Sequence, residues 1–305
     1  MVSWQTRALE IYLRINRLLS GGSGELDVAK ERAEVESMAK MFKPFGKITC
    51  EAITAKGVPA EWIHPQEVQP GRFILFLHGG SFNSGSIVSH RTLAGNVAIA
   101  CQARALLIDY RLAPEHPYPA GIDDTQSAYE WLLAQGIPPG QIIVAGDSAG
   151  GTLTLNLLTR LRDNHQPLPA AAICLSPAPD LTFSGASWTF NARKDLMLDE
   201  RKERKAVEIY LKGVEEEPRS PSVSPSFADL RGLPPMLIQV GSHEVLLSDV
   251  ELLAEKARAD GVAVTLEVWP GMQHEWQFTA KFLPEGKRAI AQIGAFADAL
   301  FSQRK

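Results

Sequence analysis

The sequence predicts an α/β protein, with a mostly parallel sheet covered by helices on both faces. Two observations carry that expectation. From about residue 48 onward, short apolar runs rich in β-branched residues alternate with longer stretches of helical period; strands that read as continuous hydrophobic runs belong to sheets buried on both sides. The length of 305 residues lies at the upper end of what one such core supports, which favours one large domain with an attached subdomain over two independent domains.

Trp4, Ala8, Ile11, Ile15, Leu18 and Leu19 fall at helical spacing, and "GGSG" at 21–24 breaks the pattern. A second helix follows, with Val28, Val35, Met38 and Phe42 on one side. Two helices ahead of the first strand cannot sit inside a sheet, so each is expected to pack its apolar stripe as a cover. Strands are expected at 47–55, 72–77, 104–109, 141–145, 171–175, 236–240 and 262–268, with helices near 89–101, 121–135, 149–163, 248–260 and 287–302. The stretch 183–233 interrupts the alternation: "KDLMLDERKERKAVEIYLKG" reads as a helix and "EEEPRSPSVSPSFADLRGLPP" as a proline- and serine-rich return. Insertions of this length after a strand usually lie on the surface and often act as lids or binding loops.

Lys plus Arg total 31 against 35 Asp plus Glu, a net charge of −4. No long like-charged block marks a nucleic-acid arm or a polybasic membrane patch. The start "MVSWQTRALEIYLRINRLLS" lacks the features of a secretory signal, and no run of about 18 apolar residues occurs; the expectation is a soluble, cytoplasmic protein without stable membrane association. Three cysteines, Cys50, Cys101 and Cys174, stand in apolar or strand-like contexts without C-x-x-C spacing. They are expected to be buried, reduced thiols, and neither disulfide, metal nor cofactor is implied.

Chemistry concentrates at "IIVAGDSAGGTLTLNLL", residues 142–158. An apolar strand runs into Gly146-Asp147-Ser148-Ala149-Gly150 and a helical pattern begins at once, which is G-x-S-x-G in its strand–turn–helix setting. A turn that points Ser148 outward leaves no room for side chains two residues before and after it, hence the glycines. The following helix aims its N-terminal amides where negative charge develops in acyl transfer. A serine hydroxyl needs a base, and the base needs an orienting acid. Seven histidines compete, but in this arrangement the partners follow the nucleophile in the order acid, then histidine. His165 lies at a polar helix exit and His243 in a loop, whereas His274 in "VWPGMQHEWQF" follows the last expected strand, with Trp276 and Phe278 nearby to shield it. For the acid, "SHEVLLSDV" offers Glu244, three residues past Gly241, with Asp249 as the alternative; Asp249 reads better as an acid in the first turn of a helix. The oxyanion needs backbone donors: Ala149 after the nucleophile, and Gly79 and Gly80 in "LHGGSFNSG", the loop after an earlier strand.

Together "HGGSF" at 78–82, "DYRLAPEHPYPA" at 109–120, "GDSAGG" at 146–151, "SP" at 176–177, "GLPP" at 232–235 and "PGMQH" at 270–274 resemble the hormone-sensitive lipase branch of the α/β-hydrolases, the bacterial carboxylesterases often called family IV. The resemblance implies an α/β-hydrolase core over 48–182 and 218–305, and a helical cap formed by 1–47 and an insertion at 183–217. It implies Ser148 as nucleophile, His274 as base and the amides of Gly79, Gly80 and Ala149 as oxyanion hole. Two positions depart from the family pattern: Ser81 replaces the usual third glycine, and Glu244 stands where an aspartate usually opens a D-P-L stretch. Arg111, Glu115 and His116 fall in a turn that braces the oxyanion loop, Asp123 and Asp124 read as helix caps, and Asp147 as support for the elbow. The expected activity is hydrolysis of short- to medium-chain acyl esters, small molecules, through an acyl-enzyme. An amidase or other acyl hydrolase would use the same triad, and a non-catalytic small-molecule receptor on this fold is disfavoured by His274. The resemblance also raises a homodimer paired through an edge strand.

Overall fold

The computed structural model describes residues 2–19, 26–39 and 42–302; the "GGSG" break at 21–24 lies outside them. In chain order the elements are α1 (Trp4–Leu19), α2 (Val28–Ala39), β1 (Ile48–Ala55), β2 (Val58–Pro65), β3 (Phe73–Leu77), α3 (Ile87–Cys101), β4 (Arg104–Ile108), α4 (Ala120–Ala134), β5 (Ile142–Asp147), α5 (Ala149–Asp163), β6 (Ala171–Leu175), α6 (Ser187–Phe190), α7 (Glu200–Tyr210), β7 (Met236–Gly241), α8 (Leu247–Ala259), β8 (Val264–Trp269) and α9 (Pro284–Ser302). One sheet orders its strands β1-β2-β4-β3-β5-β6-β7-β8. The six strands from β4 to β8 run parallel, and β1 and β2 join antiparallel at one side.

Because successive side chains of a strand point to opposite faces, each central strand feeds two cores. Ile74, Phe76, Ile143 and Ala145 meet Leu93 and Val97 of α3 and Ile290 and Ile293 of α9. Leu75, Leu77, Ile142 and Val144 meet Tyr129 and Leu132 of α4 and Leu153 and Leu157 of α5. Burying each such side chain contributes about 1.5–3 kcal/mol, which is why these strands tolerate almost no polar residues. The parallel direction brings the carboxyl ends of β3, β5, β7 and β8 to one rim, the place where open α/β sheets collect ligands.

Four expectations from the sequence need correction. A strand at Val58–Pro65 was not expected, because its two prolines argue against a ladder position; it forms a hairpin with β1 through Lys56 and Gly57, both at positive φ (50° and 90°). The apolar stripe of α1 does not cover the core: Trp4, Ile11 and Ile15 are exposed. The helix is tied down on its other side, where Ser3 and Thr6 bond the Glu285 carboxylate and Arg17 donates to the Asp195 carbonyl. Cys50 is exposed, since β1 is an edge strand, whereas Cys101 and Cys174 are buried. Asp123 and Asp124 do not cap α4; they pair with Arg160 and Arg111. No helix among the described residues is long and apolar enough to cross a membrane.

Candidate active site

Ser148 sits between the last residue of β5 and the first of α5, at φ 48° and ψ −119°, a conformation that L-residues adopt only when the surroundings impose it. Its N–H donates to the Leu175 carbonyl (2.9 Å), so the ladder to β6 continues through Ser148. Gly146 and Gly150 are required by contact: a Cβ at Gly146 would enter the Gly150 backbone, and one at Gly150 would enter the carbonyls of Leu77 and His78. The Ser148 hydroxyl lies 3.0 Å from His274 Nε2, and His274 Nδ1 lies 2.8 Å from Glu244 Oε2. His274 hangs from the loop after β8 and Glu244 from the loop after β7; a Cβ at Gly241 would strike the Met272 carbonyl, so glycine there lets the two loops close together. The other Glu244 oxygen accepts from Ser176 Oγ (2.8 Å) and the Gly241 N–H. All three side chains are buried. Burial would lower the His274 pKa, but the acids around it, Glu275, Glu244 and Asp195, carry it above the ordinary histidine range.

Beneath the "HGGSF" loop lies a buried polar cluster. Asp147 Oδ2 accepts from the Gly79 N–H (3.0 Å) and pairs with His90 Nε2 (3.1 Å). Burial opposes its charge, yet His90 and Glu275 hold it ionised, below the usual carboxylate range. Glu275 is pushed the other way, well above that range, by burial and by Asp147, with which it shares a hydrogen bond. His78 stacks on Tyr110 (centroids 4.2 Å) and burial lowers its pKa to about 3; it is neutral and donates from Nδ1 to the Gly79 carbonyl (2.8 Å). The expectation for Gly79 therefore fails: its amide is already committed to Asp147. The amides of Gly80 and Ser81 have no acceptor among the described residues, and Ser81 borders the same pocket as Ser148 and Ala149.

Residues 74–278 match the family described as alpha/beta hydrolase fold. Over 277 residues, covering 90% of each chain, the sequence is 44% identical to an acetyl-hydrolase of Streptomyces hygroscopicus; over 269 residues, 88% of each, it is 38% identical to an esterase of Acinetobacter venetianus. The crystal structure of EstE5 soaked by ethyl alcohol superposes with a TM-score of 0.94 at 42% identity over 98% of this chain and 99% of that one, and an esterase of the bacterial hormone-sensitive lipase family superposes at 0.92 with 41% identity and the same coverage. The chain is a hormone-sensitive lipase-like carboxylesterase of the α/β-hydrolase superfamily.

The esterase's pocket opens above Ser148 between Phe82, Asp180, Phe183, Trp188 and Val207, with Glu203 on its wall. Its cavity measures about 20 Å³, close to the space one water molecule needs. The 183–217 insertion supplies much of this lining through Phe183, Trp188 and α7; among the described residues none of α1 or α2 contributes. Asp249 is not a partner of the imidazole, whose nitrogens meet Glu244 and Ser148: in the first turn of α8 it accepts from Trp188 Nε1 (2.8 Å), and burial pushes its pKa up to about 7. Arg111, Glu115 and His116 do not act as one cluster. Arg111 grips Asp124 with two nitrogens, and Glu115 takes Arg32 of α2, which also donates to the carbonyls of Asn83 and Ala113 and so braces the oxyanion loop from outside. Trp276 packs on Trp269 and Phe278 stands edge-on to His90. Sequence reasoning assigned no role to Ser176, His90 or Glu275. Ser176 is within the "SP" pair and Glu275 follows His274, but no local pattern says that either meets a carboxylate across the rim. Among the described residues no group of three or more His, Cys, Asp or Glu side chains is disposed to hold a metal ion.

Proposed function

We propose that this esterase is a serine hydrolase that cleaves short-chain acyl esters through a covalent acyl-enzyme. The observation that carries the reading is the unbroken chain of contacts from the strained Ser148 through His274 to a fully buried Glu244. Ser148 Oγ attacks the ester carbonyl carbon while His274 Nε2 takes its proton. The carbonyl oxygen becomes an oxyanion, met by the amides of Gly80, Ser81 and Ala149, the last at the positive end of α5. The bond to the alkoxy oxygen breaks as His274 returns the proton to it, and the alcohol leaves. Water, losing a proton to His274, then attacks the acyl carbonyl carbon, and the bond to Ser148 Oγ breaks as His274 passes that proton to the oxygen, freeing Ser148 and the acid. Glu244 keeps the Nδ1 proton in place and offsets the imidazolium charge. The preference for short chains is supported by the small cavity and by the acetyl-hydrolase among the relatives. Segment 183–217 serves as the cap over the pocket.

Labelling with an organophosphonate followed by peptide mapping tests the nucleophile. Modification is expected at Ser148, and Ser148→Ala should reduce hydrolysis of p-nitrophenyl acetate by a factor on the order of 10⁴ or more. Label on another serine, or near-normal turnover by the variant, refutes the assignment. In a p-nitrophenyl series kcat/KM should decline beyond the shortest chains; a maximum at long chains would overturn the substrate class.

A further inference from the structure

Three consecutive residues of the oxyanion loop hold positive φ: Gly80 at 114°, Ser81 at 49° and Phe82 at 63°. Glycine adopts such backbone freely, but Ser81 and Phe82 carry Cβ atoms that strain it, and strained backbone persists only where its surroundings hold it. One helix face does the holding. Glu203, Val207 and Tyr210 lie four and three residues apart on α7, hence on one side. Ser81 Oγ donates to Glu203 Oε2 (2.8 Å), and the Phe82 ring stacks on Tyr210 with centroids 4.0 Å apart and planes at 11°. Tyr210 is seated in turn, its carbonyl accepting the Tyr118 N–H (2.8 Å) and its ring meeting Tyr118 edge-on. On the core side, Phe82 accepts the Ala113 N–H at its carbonyl (3.0 Å).

We infer that Glu203 and Tyr210 are positioning residues for ester hydrolysis: by holding Ser81 and Phe82 they keep the Gly80 and Ser81 amides at the oxyanion site, so that seating the 183–217 segment and assembling the oxyanion hole are one event. The inference rests on the serine-esterase reading above. It explains how the chain accommodates a side chain at the positive φ of Ser81: the hydroxyl supplies the restraint that offsets the strain of the Cβ. The bond is strongest to an ionised acceptor. Burial raises the Glu203 pKa to about 7 against the pull of Ser81, with Glu31 of α2 and Asp195 raising it further and His274 lowering it; Asp180 faces the same pocket. Protonation of Glu203 therefore weakens its grip on Ser81.

The test is a double-variant cycle on p-nitrophenyl acetate. Loss of one oxyanion donor costs about 10²–10³ in kcat, and a donor loosened rather than removed should cost about tenfold. Ser81→Ala, which keeps the Cβ but loses the bond, and Glu203→Ala are each expected to lower kcat about tenfold with KM within about twofold, and the double variant to fall no further. Ser81→Gly, free of the strain, should lose less than Ser81→Ala. A parent-like kcat in Ser81→Ala, or effects that multiply to about a hundredfold in the double variant, overturns the inference. Glu203→Gln retains an acceptor and guards against misfolding of Glu203→Ala. In the parent, the slope of log kcat against pH should rise from one to about one and a half near pH 7 and return to one below it, as a tenfold partial loss requires, and in Glu203→Gln it should stay at one; identical profiles overturn the inference. Ser148→Ala reports on the serine reading separately, because it removes hydrolysis whatever happens at the loop.

Discussion

Glu244 is one of the acids that raise the His274 pKa, and this has a measurable sign. A base must be neutral to accept a proton, so activity rises with pH through the His274 pKa, which the surrounding acids raise. Glu244→Gln removes one of those acids, the one bonded to His274 Nδ1. The acidic limb of kcat/KM is therefore expected to move to lower pH while the plateau drops by about 10⁴; an unmoved limb would show that Glu244 does not act electrostatically. Asp249 makes the opposite case. Its folded pKa of about 7 exceeds the value of roughly 3.9 in an unfolded chain, so the folded state binds the extra proton and stability declines as pH rises between these values. Asp249→Asn keeps an acceptor for Trp188, should retain hydrolysis, and should lose less Tm than the parent between pH 5 and 8. Equal losses would contradict the assignment of the shift to this carboxyl. Ser148, Glu244 and His274 stood out in the sequence because each follows a strand, in that chain order, and the structure brings the three side chains together. The Gly79 amide was misread because its acceptor, Asp147, belongs to a different strand, and backbone glycine carries no sign of which neighbour its N–H will meet.

The elbow between β5 and α5 depends on what the neighbouring strand leaves open. A methyl at residue 150 would drive into backbone carbonyls at the end of β3, atoms that cannot turn aside as a side chain would. Gly150→Ala is expected to cost about 3 kcal/mol or more, seen as a lowered Tm or loss of soluble protein; a variant as stable as the parent would mean that the helix can shift. The elements themselves were read nearly to the residue wherever hydrophobic period was strong, as in α5. They were missed or overextended where other signals competed. β2 was hidden by Pro59 and Pro65, although Lys56-Gly57 is the kind of two-residue turn that a hairpin needs. The helix expected from residue 194 begins at Glu200, where Asp199 accepts from the N–H groups of Arg201 and Lys202 as a cap. The stripe of α1 has the same period as a buried face, and period alone does not say whether anything packs against it.

At the scale of the molecule, the parallel sheet brings to one rim the ends of strands far apart in sequence, which is why the fold class also pointed to the rim where Ser148, Glu244 and His274 meet. Pairings across that rim, such as Glu275 with Asp147 or Ser81 with Glu203, arise from three-dimensional closeness and have no counterpart along the chain. The same architecture supports Ser148 in an unfavourable backbone conformation, at φ 48° and ψ −119°. Relieving such a residue recovers about 1–3 kcal/mol, partly offset by the entropy of a more flexible unfolded chain. Ser148→Gly is thus expected to abolish hydrolysis yet melt about 2 °C higher than the parent; a lower Tm would mean that the hydroxyl's bond to His274 outweighs the relief. The protein is then more durable without its chemistry than with it, so a search that selects only for heat resistance would drift toward dead enzymes unless turnover is selected alongside.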